Sequence, residues 1–137
     1  MSKGVYIYPS AKIWDPRNLV MDKGSTLGPA VDCYNVARVC IGAFATVSQR
    51  SYLCSASREY NLLWVHDNAL PLIVAPIDIK PYAWIAAEVF VGPGVTISRG
   101  SVVLARTVAV KNTLANGVYS GNPMRLVKMR LSQFRED

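Results

Sequence analysis

The sequence predicts a parallel β-helix, and three observations carry that prediction. Apolar residues recur every six positions at Ile79, Ile85, Val91, Ile97, Val103 and Ala109. Four positions after each stands a small or β-branched residue, namely Ala83, Val89, Val95, Ser101, Thr107 and Thr113. Between them fall Gly92, Pro93, Gly94 and Gly100, residue types suited to corners that need unusual backbone angles or rigid turns. An α-helix repeats at about 3.6 residues and a strand at about two, so neither produces this spacing. A triangular coil does, because each six-residue side turns one residue into the axial core while its backbone pairs with the coils above and below.

The elements follow in order. The same phase appears near the start as Ile7 and Ile13, then as Met21, Leu27 and Cys33, then as Ile41, Val47 and Leu53 with Ala45, Ser51 and Ser57 as their small partners. Between these blocks the spacing stretches to eight, which reads as short bulges at corners. Residues 58–75 leave the ladder for long enough to form an external loop, and loops on a rigid scaffold are where function tends to sit. In RLVKMRLSQFRED the spacing of Leu126, Met129 and Phe134 is helical, so a short C-terminal tail or helix is expected over about 122–137.

Composition sets bounds around this scaffold. A chain of 137 residues, 51% of them hydrophobic, can form one domain over residues 1–137 with a core that needs neither metal nor disulfide. MSKGVYIYPS has no apolar signal-peptide region and no long apolar run crosses a membrane, so a cytoplasmic location and no membrane span are expected. Cys33, Cys40 and Cys54 are odd in number and lack CxxC spacing, which reads as buried small residues rather than a disulfide framework or a zinc knuckle. The net charge of +6 is spread from Lys3 to Arg135 without interleaved aromatics, which does not fit a nucleic-acid surface.

The segments YIYPSAKIW, SQRSYLC, PIDIKPYAWIAAEVFVGPGVTI and SGNPMRLVK resemble the hexapeptide-repeat acyltransferases, most closely the colanic acid biosynthesis acetyltransferases, relatives of maltose and galactoside O-acetyltransferases. The resemblance covers nearly the whole chain. It implies a left-handed β-helix that forms a homotrimer, with acetyl-CoA as co-substrate in the groove between neighbouring helices, a saccharide hydroxyl as acceptor and no metal. The tail GNPxR motif is Gly121, Asn122, Pro123 and Arg125. Carried over residue by residue, coenzyme contacts fall on Trp84, Ala87, Ala105, Val110, Lys111, Arg125 and Lys128. The two alanines would let a pantetheine arm lie against the coil, while the three basic residues can meet phosphates with charge-assisted bonds. Without the motif, Arg125 and Lys128 would read as a solvated helix face. Asn35 matches a substrate-contacting position, and as a turn residue at a coil corner it would be equally comfortable.

In the family, the stretch after the Tyr-Leu-Cys strand runs into Ser-His-Asp-Tyr. Here YLCSASREY aligns with it without a gap, so Arg58 stands where the catalytic histidine is expected. That histidine acts as general base, a task for a group that titrates near the working pH, and a guanidinium stays protonated. The single histidine, His66, lies in the loop and is a candidate substitute, although a lone loop histidine is ordinarily just solvated. Arg58 could also hold an anionic acceptor or neutralise a developing oxyanion. Two functions therefore compete: an acetyl-CoA-dependent O-acetyltransferase with an altered centre, and a weak or inactive CoA-binding, structural β-helix. The carbonic anhydrase branch of the architecture needs three zinc-binding histidines and fails on histidine count.

Overall fold

The computed structural model describes residues 3–61 and 70–131. The chain winds as a three-sided solenoid of parallel β-strands. The first coil holds β1 (Tyr6–Ile7), β2 (Lys12–Ile13) and β3 (Leu19–Met21). The second holds β4 (Thr26–Leu27), β5 (Asp32–Tyr34) and β6 (Val39–Ile41). In the third, β7 (Thr46–Val47) and β8 (Tyr52–Cys54) are followed by an excursion, β9 (Ala56–Arg58) and β10 (Leu72–Val74), before β11 (Ile77–Ile79) closes the turn. Then come β12 (Trp84–Ile85), β13 (Phe90–Val91) and β14 (Thr96–Ile97), then β15 (Val102–Val103) and β16 (Val108–Ala109), and finally β17 (Gly117–Ser120) and β18 (Arg125–Met129).

Stacking these coils builds three faces. The first is β1-β4-β7-β12-β15-β17-β18, the second β2-β5-β8-β13-β16, and the third β3-β6-β11-β14. Register is kept from coil to coil: Ile85 lies between Val47 and Val103, Val91 between Leu53 and Ala109, and Ile79 between Ile41 and Ile97. The predicted ladder is therefore a set of stacked inward columns, and its residues from Ile79 to Ala109 have no exposed surface. Ile7 and Ile13, in the first described coil, are half-buried and pack against the core.

The second column explains its small residues. Ser51, Ser101 and Thr107 are fully buried, and each hydroxyl donates to a backbone carbonyl, of Ala86, Gly117 and Leu104 respectively. Among the described residues no buried side-chain polar atom lacks a partner, as a close-packed interior requires. Cys33 and Cys54 are buried and Cys40 half-buried, all three as free thiols, and burial pushes the Cys33 thiol up to about 12.

Corners are built by one repeated device. At the corner between the third and first faces, the left-handed backbone conformation falls on Gly24, Phe44, Tyr82, Gly100 and Asn116. At the corner between the first and second faces it falls on Ala30, Arg50, Glu88 and Arg106. Each of the non-glycine residues in that conformation costs about 1–2 kcal/mol relative to ordinary backbone angles. Ladder bonds offset this: Phe44 N–H donates to Lys23, Tyr82 N–H to Ala43 and Arg106 N–H to Ala87, at 2.9–3.0 Å. The Phe44 and Tyr82 rings also stack with centroids 5.5 Å apart, and the Arg99 guanidinium lies 4.8 Å from the Tyr82 centroid.

Three expectations need correction. The ladder position assigned to Ser57 is not inward: the chain leaves the coil after Ser55, Ser57 is exposed, and Ile77 takes the inward place in register with Val39. The excursion starts at Ala56 rather than residue 58, and its base is an antiparallel ribbon pairing Ala56 with Val74 and Arg58 with Leu72. The expected C-terminal helix is, over Arg125–Met129, the strand β18, which runs antiparallel to β17. The top edge of a solenoid exposes a row of unpaired backbone groups, and a strand laid on β17 pairs them, which the helical spacing of Leu126 and Met129 does not outweigh. The two stretched spacings do mark corners, the first filled by the 3-10 turn Pro16–Asn18. Among the described residues no helix is long and apolar enough to cross a membrane.

Candidate active site

Five of the seven expected coenzyme contacts share one edge. Trp84 stands on the outer side of the first face, in register with Val102, which pairs with Val118, which pairs with Lys128. Trp84 and Lys128 therefore mark one row, roughly three strand spacings or about 14 Å apart. Arg125 pairs with Ser120, two residues along, and so lies on the same outer side, nearer the corner with the second face. The indole N–H of Trp84 donates to Ser48 Oγ at 2.9 Å, which fixes the ring across the coil below.

Ala87 and Ala105 lie at that corner in consecutive coils, each just before a residue in the left-handed conformation, Glu88 or Arg106. The Ala87 carbonyl accepts from Arg106 N–H at 2.9 Å. Among the described residues, neither the Ala87 nor the Ala105 N–H donates to a backbone carbonyl, so both remain available to a ligand. The side chains end at Cβ, so neither adds bulk to the corner, and Ala105 is exposed there. Beside it, Arg106 Nε meets Glu88 Oε1 at 3.1 Å.

Val110 and Lys111 are exposed, but at the other end of β16, on the corner between the second and third faces. Arg58 belongs to that same corner, on the ribbon leaving the third coil, and its Nη1 donates to the Leu70 carbonyl at 2.9 Å. Within one chain the two groups are thus separated by the width of the second face. His66 lies outside the described residues.

Asn35 has no exposed surface. Its Oδ1 accepts from Asp15 N–H at 2.8 Å and its Nδ2 donates to the Asp15 carbonyl at 2.7 Å, while Asn18 Nδ2 donates to the Asn35 and Val36 carbonyls. This is the arrangement of a corner residue, and an acceptor would have to displace those bonds to reach it. Among the described residues there is no cluster of side chains arranged to hold a metal ion.

Comparison with known proteins places this geometry. No protein-family model matches the chain. It is 37% identical over 131 residues to the Escherichia coli K12 protein named "Putative colanic acid biosynthesis acetyltransferase WcaF", a match covering 96% of this chain and 69% of that protein. The chain belongs to the hexapeptide-repeat acetyltransferase family. Solved structures show the same fold. A hexapeptide-repeat acetyltransferase of Vibrio cholerae, complexed with acetyl coenzyme A, superposes with a TM-score of 0.83 at 20% identity, covering 94% of this chain and 69% of that one. A maltose O-acetyltransferase from Clostridium difficile 630 superposes with a TM-score of 0.78 at 19% identity, covering 94% of this chain and 68% of that one.

Two features of the site escape sequence reasoning. The contribution of β18 to the first face depends on a chain reversal after Gly121 that no periodicity announces. The Glu88–Arg106 ion pair joins residues 18 positions apart, and three six-residue sides make that one full coil, so the repeat itself could have revealed it.

Proposed function

We propose that the chain is an acetyl-CoA-dependent O-acetyltransferase that acts on a hydroxyl of a saccharide or polysaccharide precursor. The observation that carries this reading is the edge formed by Trp84, Ala87, Ala105, Arg125 and Lys128, which brings together two small residues, whose N–H groups have no backbone partner among the described residues, and two cations. Acetyl-CoA presents matching chemistry, with amides along its arm and phosphates at its far end. In the transfer the acceptor oxygen attacks the thioester carbonyl, the hydroxyl proton passes to a base, and CoA leaves as the thiol. In this chain Arg58 stands where the family keeps that base.

The separation of the two corners supports a homotrimer with a composite site. One helix would bring its alanine corner against the corner of a neighbour that carries Lys111, Val110 and the Arg58 ribbon. The second face supplies apolar surface for such packing: Trp14 and Tyr34 meet edge to face at 5.3 Å and Tyr52 and Phe90 at 5.6 Å, with Trp14 65% exposed. Light scattering should give three times the chain mass at micromolar concentration; a monomer would sink the composite site.

Coenzyme binding has its own test. Arg125→Ala should weaken CoA by about 1.5–3 kcal/mol in calorimetry, the worth of a hydrogen bond to a charged group. Unchanged affinity would remove Arg125 from the site. A second reading, a CoA-binding β-helix that turns over weakly or not at all, is favoured by one observation. The Arg58 side chain is exposed and already engaged with the Leu70 carbonyl, and a guanidinium offers donors only, which suits a brace better than a base.

A further inference from the structure

The corner between the second and third faces is basic in a way the general-base problem does not explain. Arg17, Arg38 and Arg58 belong to it in three consecutive coils. Arg17 is committed to Asp15, with Nε at 3.0 Å from Oδ1 and Nη2 at 3.0 Å from Oδ2. Among the described residues, Arg38 and Arg58 form no ion pair. Glu59 is turned to its own loop, where Oε1 accepts from Asn61 N–H at 3.1 Å.

Arg38 is held directly beneath the foot of the ribbon. Its carbonyl accepts from Ile77 N–H at 3.0 Å, and the preceding Ala37 N–H donates to Ser55 Oγ at 3.0 Å. Ser55 and Ile77 flank the points where the chain leaves and rejoins the coil, and Ser55 itself is tied to the Tyr34 carbonyl. Arg58 lies three residues out along β9, about 10 Å from that foot, within the combined reach of two arginine side chains. Arg38 has both ends of its peptide fixed and its side chain exposed, so its charge is presented from a rigid coil.

We propose that Arg38 and Arg58 together bind an oxyanion of the acceptor, a carboxylate or a phosphate, so that the substrate of this acetyltransferase is an acidic saccharide rather than a neutral one. The inference rests on the acetyltransferase reading above and names its substrate class. A planar guanidinium binds such groups with paired donors, and Arg58 keeps donors beyond the Nη1 hydrogen that meets Leu70. Arginine at the base position then has a use that histidine would serve less well at neutral pH, because an uncharged imidazole offers one donor and no charge.

Saturation-transfer NMR on the full chain, with excess CoA to fill any coenzyme phosphate site, can measure affinities for glucose, glucuronic acid and glucose 6-phosphate. At least one of the two acids should bind about fivefold or more tighter than glucose, allowing for solvent screening of exposed cations. Arg38→Gln and Arg58→Gln should each remove that preference, and Arg58→Lys should keep part of it. The acid that is preferred identifies the oxyanion. Equal affinity for all three sugars, or a preference that survives either glutamine substitution, would overturn the paired site. Because no turnover is needed, a chain that fails to consume acetyl-CoA in a separate assay tests the enzyme reading without deciding this one.

Discussion

Arg58→His raises acetyl transfer from acetyl-CoA to a neutral sugar acceptor, which makes no use of an oxyanion site, by at least about tenfold, a conservative part of the 10² to 10⁴ that a positioned general base contributes. The expectation follows from one residue. On the reading proposed above, the stretch YLCSASREY sets Arg58 against the family's histidine, and the structure puts it at the end of β9 on a hydrogen-bonded ribbon rather than in a free loop. Its backbone is paired with Leu72 across that ribbon, so the replacement side chain would start from a defined place. An imidazole there can be neutral at pH 7 and accept the hydroxyl proton; a guanidinium cannot. His66→Ala should be nearly silent in the same assay. If instead Arg58→His changes nothing and His66→Ala abolishes turnover, the base has moved to His66. If no variant consumes acetyl-CoA while CoA still binds, the silent scaffold becomes the better description.

The parts of this fold that were legible in the sequence are those fixed by a repeated physical demand. An axial column must be apolar at every coil, so Ile79 through Ala109 declared themselves by spacing alone, and all are buried. Corners were only half legible. Glycine marked some of them, at Gly94 and Gly100, but Phe44, Arg50, Tyr82, Glu88 and Arg106 take the same left-handed conformation with no local signal. Their cost is met by bonds to the coil below, which a single window of sequence does not contain. The tail misled for the same reason: Leu126 and Met129 have helical spacing, yet the open edge of β17 decides the matter from outside the segment. Asn35 was ambiguous between substrate and corner, and its two bonds to Asp15, twenty residues away, add a structural contact that no single window of sequence contains.

Ile85→Ala should cost about 2–5 kcal/mol of unfolding free energy, and Ile7→Ala less than half as much. Both occupy inward positions on the first face, with identical side chains. They differ in what surrounds them. Ile85 has no exposed surface and is stacked between Val47 and Val103, with Ala45, Ala83 and Val89 also buried around the axis. Truncating it leaves a void that the rigid ladder above and below cannot collapse, so the lost transfer energy and the cavity both count. Ile7 is half-buried and, among the described residues, has a paired coil on one side only, at Leu27. A solenoid's stability is close to a sum over coils and the interfaces between neighbours, so an end position loses one interface where a central one loses two. Urea unfolding followed by tryptophan fluorescence, at one fixed protein concentration so that any assembly contributes equally, would read the difference directly. Equal losses at the two positions would mean that the end coil is as well covered as the centre, by a second copy or another segment, and the nearest-neighbour account of this core would have to be abandoned.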